Sequence, residues 1–123
     1  MAHILVTDDS AFLRRITCSI LQAAGHRITQ ASNGLECLKL LAQEEPDAIF
    51  LDLVMPEMDG ITALKQLRED GNTTPVIILT ADIQDSVKEE CLQWGAAAFL
   101  NKPPKEEQVL SALNHIIGNQ EDC

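Results

Sequence analysis

Ala48-Ile49-Phe50-Leu51-Asp52 is the stretch that decides the architecture: four apolar residues in a row, closed by an acid and preceded by Pro46. A strand with one face in water alternates apolar and polar side chains. A strand without alternation needs cover on both faces. Two more segments have this character. They are His3-Ile4-Leu5-Val6-Thr7 and Val76-Ile77-Ile78-Leu79-Thr80, the latter the most β-prone run in the chain. Arg27 to Ala31 is a weaker strand, and Ala97-Ala98-Phe99-Leu100 a short one.

Working outward from these runs, helical periodicity fills the gaps. Ser10 offers an N-cap to a helix over 12–24, with apolar spacing at Phe12, Leu13, Ile16, Ile20 and Leu21, stopped by Gly25. Asn33 caps a second helix through Leu35, Leu38, Leu41 and Ala42, ended by Pro46. Residues 61–69 form a third, with Leu64 and Leu67 inward, after a Pro/Gly/Met loop at 53–60. Residues 85–94 form a fourth, stopped by Gly95. Pro103-Pro104 leads into a fifth over 105–117, and 118–123 reads as a flexible tail. The order is five β–α pairs in a single domain spanning 1–123. Right-handed crossovers then make a doubly wound parallel α/β sheet the natural solution.

Composition narrows the function. The 123 residues are 46% hydrophobic but only 3% aromatic, so the core is aliphatic and platforms for stacking bases or flavins are few. A formal net charge of −10 repels nucleic acid and anionic lipid, so neither is expected as a partner. Cys18, Cys37, Cys91 and Cys123 share no C-x-x-C spacing and read as free thiols of a reducing cytoplasm. No apolar run approaches the length that crosses a membrane, and no secretory signal precedes His3.

In sheets of this kind ligands bind beyond the carboxyl ends of the strands. The residues there are Asp8 and Asp9, Asn33, Asp52, Thr80 and Lys102. Each alone is an ordinary loop end. Three acids, a hydroxyl and an amine on one rim are together a phosphate-handling set. Two acids beside a third demand a cation or carry a costly repulsion, and Mg²⁺ prefers such oxygen ligands.

These positions carry a resemblance to a known family. Asp8-Asp9, Asp52, Met55-Pro56-x-Met58-Asp59-Gly60, Thr80-Ala81 and Lys102-Pro103 occur in order at the expected strand ends. Over residues 3–117 the chain resembles the receiver domains of bacterial response regulators, especially the single-domain chemotaxis (CheY-like) type. The resemblance implies a flavodoxin-like (βα)5 sheet of strand order 2-1-3-4-5 and a phosphorylation-activated switch of a two-component system.

By the same resemblance, Asp52 is the phosphoacceptor. Asp9 and Asp52 ligate Mg²⁺ directly, the backbone carbonyl of Val54 is a third protein ligand, and Asp8 acts through water. Lys102, joined to Pro103 by a cis bond, pairs with the phosphoryl oxygens. Thr80 hydrogen-bonds one of them, and small Ala81 leaves them approachable. Phe99 is either the switch aromatic that turns inward behind Thr80 or a plain core residue. Pro104 departs from the hydrophobic residue usual at its position.

The implied partners are a histidine kinase or phosphotransfer protein as donor, a target such as the flagellar motor switch, and a separate phosphatase. Such a protein is no enzyme beyond promoting its own phosphorylation and dephosphorylation. Two signalling readings stay open: chemotaxis, and a phosphorelay or another partner. A hydrolase with an aspartyl-phosphate intermediate would want an acid two residues after Asp52, where Val54 stands. Trp94 reads as core. Arg14 and Arg15 read as a solvated face, with a kinase contact as the alternative.

Overall fold

The computed structural model describes residues 2–53, 55, 58–81 and 85–121, with side chains as far as 117. The elements are β1 (His3–Thr7), α1 (Ala11–Ala23), β2 (Arg27–Ala31), α2 (Gly34–Leu41), β3 (Ala48–Asp52), α3 (Gly60–Glu69), β4 (Val76–Thr80), α4 (Asp85–Gln93), β5 (Ala96–Asn101) and α5 (Glu106–Glu121). The strands are all parallel, in the order β2-β1-β3-β4-β5. This is the expected flavodoxin-like order. The apolar central strands β1, β3 and β4 take the middle places, where both faces are covered.

Alternation along these strands builds two cores. Ile4, Val6, Ala48, Phe50, Ile77 and Leu79 pack with Cys18 and Leu21 of α1 and Val109 and Leu113 of α5. Their neighbours Leu5, Ile49, Leu51, Val76 and Ile78 pack with Cys37 of α2, Leu64 and Leu67 of α3 and Cys91 of α4. A strand run without polar residues is therefore two interleaved period-2 faces, each against its own helix layer. Burial pushes the thiols of Cys18, Cys37 and Cys91 up from the ordinary cysteine range, so they stay protonated and pack as small hydrophobes.

The helix starts are set by side chains. Ser10 Oγ accepts from Leu13 N at 3.2 Å, Asn33 Oδ1 from Glu36 N at 2.8 Å, and Asp59 Oδ1 from Thr62 N at 2.8 Å. Each satisfies an N–H that the helix itself cannot. Gly25 and Gly95 end α1 and α4 with φ of 91° and 85°, a conformation that costs other residues more.

Several expectations need correction. Phe12, counted on the inward stripe of α1, is 71% exposed, and Leu35 of α2 is 41% exposed. Both lie in the first turn of their helices. Pro46 does not end α2; the helix stops at Leu41, and the turn that follows carries the chain to β3. β5 begins a residue earlier than read, with a register shift between Val76 and Ile77 that sets Ala97 outside the ladder. The backbone of α5 is helical to Glu121, past the helix end expected at 117. Cys123 lies outside the described residues. No helix among the described residues is long and apolar enough to cross a membrane.

Leu64 is fully buried between α3 and the sheet. Leu64→Ala is expected to lower unfolding free energy by about 3 kcal/mol, read as a shifted urea midpoint with an unchanged slope.

Candidate functional site

The carboxyl ends of β1, β3 and β5 bring together most of the set read from the sequence. Asp8 and Asp52 are 1% and 3% exposed, whereas Asp9, the next residue, is open to solvent. One carboxylate oxygen from each of the three lies within 4.8 Å of the others. Asp52 ends β3 and is aimed by the strand itself. Asp8 is aimed by its loop: its N–H donates to Ala31 O at 3.1 Å, and its Oδ1 accepts from Ser10 N at 2.9 Å.

Lys102 closes the cluster from the end of β5. Its Nζ is 2.8 Å from Asp52 Oδ2 and 3.2 Å from Asp8 Oδ2, and its own N–H donates to Thr80 O at 3.0 Å. Its bond to Pro103 is cis, as expected. Burial alone would push the ammonium's pKa down. The hydrogen bond and charge of Asp52, joined by those of Asp8, outweigh burial and hold it above the usual lysine range. The ammonium is therefore charged at neutral pH, and its bond to the acids weakens only in strong alkali.

Three acids face one lysine here, and Asp8 Oδ2 has no aligned hydrogen bond among the described residues beyond that ionic contact. The donor set is all oxygen and under-neutralised, which fits a small hard divalent cation that keeps part of its water. A cavity of about 700 Å³ lies at the opposite end of the sheet, between the ends of α2 and α3, and touches none of these residues.

The other expected residues fall as follows. Thr80 is buried at the end of β4, one residue past Leu79, the partner of Asp52. Ala81 is exposed beside it. Phe99 is partly buried against the core under α4, with Lys88 Nζ 5.7 Å from its ring centre. That leaves both readings of Phe99 open. Trp94 packs at the edge of the same core. Asn33 serves as the cap of α2. Val54 lies outside the described residues.

Two features of the motif after Asp52 have a packing cause. Asp59 caps α3. At Gly60 a Cβ would lie 2.2 Å from the carbonyl oxygen of Asp52, so only glycine lets α3 start this close to the strand. Sequence reading missed Arg14. It is half-buried, and its Nη1 donates to Asp8 O at 2.6 Å. Its spacing from Asp8, one loop and one helical turn, was the available signal.

Comparison with known proteins agrees with this arrangement. The family model for the response regulator receiver domain matches residues 4–114. The chain belongs to the response regulator receiver family. It is 37% identical to the protein PilH of Pseudomonas aeruginosa over 95% of this chain and 98% of the relative. It is 38% identical to the chemotaxis protein CheY of Bacillus subtilis over 93% and 97%. Among solved structures, the Francisella response regulator 1452 receiver domain superposes with a TM-score of 0.91 at 32% identity, over 98% of this chain and 99% of that one. Vibrio cholerae CheY4 does so with 0.87 at 32%, over 94% and 98%. Receiver domains of two-component systems are signalling switches, and this receiver keeps their acidic cluster.

Removing the ammonium would leave two buried carboxylates facing each other. Lys102→Met is expected to cost about 3 kcal/mol of stability at neutral pH without divalent ions. Added Mg²⁺ should recover much of this, and urea titrations with and without the ion check both parts.

Proposed function

We propose that this receiver is a phosphorylation-activated switch whose phosphoacceptor is Asp52. The observation that carries the proposal is the cluster itself: Asp8, Asp9 and Asp52 with oxygens within 4.8 Å, and Lys102 Nζ 2.8 Å from Asp52. Asp9 and Asp52 would hold Mg²⁺ directly, Asp8 through water, with the Val54 carbonyl as the expected third protein ligand. Bound there, Mg²⁺ supplies positive charge against both the acids and an incoming phosphoryl group.

A carboxylate oxygen of Asp52 attacks the phosphorus of a phosphohistidine or a small acyl phosphate. A P–O bond to Asp52 forms as the bond to the donor breaks, and the donor keeps that electron pair. Lys102 follows the charge. In the unmodified receiver its ammonium is bound to Asp52, and after transfer it pairs with the phosphoryl oxygens. Thr80, next along the rim, offers its hydroxyl to the same oxygens. Drawing Lys102 and Thr80 toward the phosphate would bias a pre-existing equilibrium at β4, α4 and β5, with partly buried Phe99 as the side chain that turns.

Chemotaxis-type signalling is the reading we favour, because relatives named for chemotaxis match almost from end to end. A histidine kinase or phosphotransfer protein would be the donor, a motor switch protein the target, and a separate phosphatase the third partner. The cytoplasm is the expected location. The phosphorelay alternative predicts capture by a histidine phosphotransfer domain in place of a motor switch protein.

The test is incubation of the full chain with Mg²⁺ and acetyl phosphate, followed by intact mass and peptide mapping. One phosphoryl group is expected on Asp52, absent in Asp52→Asn and with EDTA. An unmodified wild type, or a phosphoryl group elsewhere, would sink the proposal.

A further inference from the structure

Arg14 sits in the second turn of α1. Long helical side chains lean toward the helix N-terminus, and this one reaches back into the β1–α1 loop. Nη1 donates to the carbonyl oxygen of Asp8 at 2.6 Å, and Nε donates to Oε1 of Gln30 on β2 at 3.0 Å. The guanidinium thus spans from the strand beside β1 to the loop that carries the acid pair. With it in place, the N–H, the carbonyl and both carboxylate oxygens of Asp8 each have a neighbour that orients them.

Asp9 is held differently. Its carboxylate is exposed, and among the described residues no hydrogen bond or ion pair holds it. Its aim therefore comes from its backbone. The Asp8 carbonyl belongs to the rigid peptide plane that ends at the nitrogen and Cα of Asp9. Fixing that oxygen fixes the plane, and with it the origin of the Asp9 side chain.

We infer that Arg14 is a positioning residue for the cation site: its bond to the Asp8 carbonyl locks the Asp8–Asp9 peptide and aims Asp9 at the cluster it forms with Asp52. The inference rests on reading Asp8, Asp9 and Asp52 as a divalent cation site. Two roles for Arg14 differ in sign. As a mere positive charge near the acids it would repel a cation, and its removal would tighten binding. As a clamp it pre-orders a ligand, and its removal would weaken binding, because that ordering must then be supplied when the ion arrives.

The experiment titrates the full chain with Mg²⁺, and separately with Mn²⁺, by calorimetry and without any phosphodonor. Arg14→Met is expected to bind each ion about fivefold more weakly, the worth of one hydrogen bond. Arg14→Lys keeps the charge and can reach the carbonyl but not Gln30 as well, and should fall between. Should Arg14→Met not fold, Arg14→Gln carries the same expectation. Urea midpoints measured alongside separate the alternatives, since a purely structural arginine would move the midpoint and leave the affinity alone. Unchanged or tighter binding by the neutral variants overturns the clamp. A wild type that binds neither ion overturns the cation site and the clamp together, a different result from equal binding by wild type and variant.

Discussion

The ammonium of Lys102 stands 2.8 Å from one buried carboxylate and 3.2 Å from another, and the rim of the sheet is built around that contact. Two carboxylates taken out of water on neighbouring strands repel each other strongly, and neither strand can retreat without losing its ladder. The lysine makes their burial tolerable. It does so incompletely, because Asp9 adds a third acid to the cluster. The protein is thus folded around a deficit of positive charge. A deficit of this kind is what the proposed divalent ion would fill, and what a phosphoryl group on Asp52 would rearrange.

The same contact explains why the surrounding backbone is so constrained. Lys102 is tied through its N–H to Thr80 O, so the hydroxyl and the amine share one corner of the sheet. Asp52 is the last residue of a fully buried strand, and Gly60 brings α3 against its carbonyl with no room for a side chain. Asp8 is gripped by β2, by its own loop and by Arg14. Electrostatic chemistry of this type depends on donors and acceptors that do not reorganise when charge moves, and a rigid rim provides that. Farther off, Phe99 is only partly buried beneath α4, and Lys88 stands over its ring.

Much of this was legible in the amino-acid order, for definite reasons. Unalternated apolar runs at β1, β3 and β4 can only be parallel strands covered twice, and cap residues and glycines mark where helices start and stop. Asp8, Asp9, Asp52, Thr80 and Lys102 could be placed on one rim because all carboxyl ends of a parallel sheet point the same way. Less legible were the first turns of helices, where Phe12 and Leu35 fit the apolar period yet face water. Periodicity reports an angle around the helix axis and not whether the sheet extends beneath that turn.

What the chain order determined by itself was therefore the sheet, its covering layers and which polar groups stand on its rim, because these follow from local pattern and strand direction. What only the tertiary structure decided was how those groups meet. The lysine bridges Asp52 and Asp8 and not Asp9. Arg14, which reads as a solvated cation, grips the Asp8 carbonyl. Asp59, an acid seven residues after Asp52, spends its carboxylate on capping α3. Lys102 meets its acids across long stretches of the chain, whereas Arg14 and Asp59 reach partners 6 and 3 positions away. Ångström-scale choices among several like charges are made by packing of the whole domain, which no local pattern encodes.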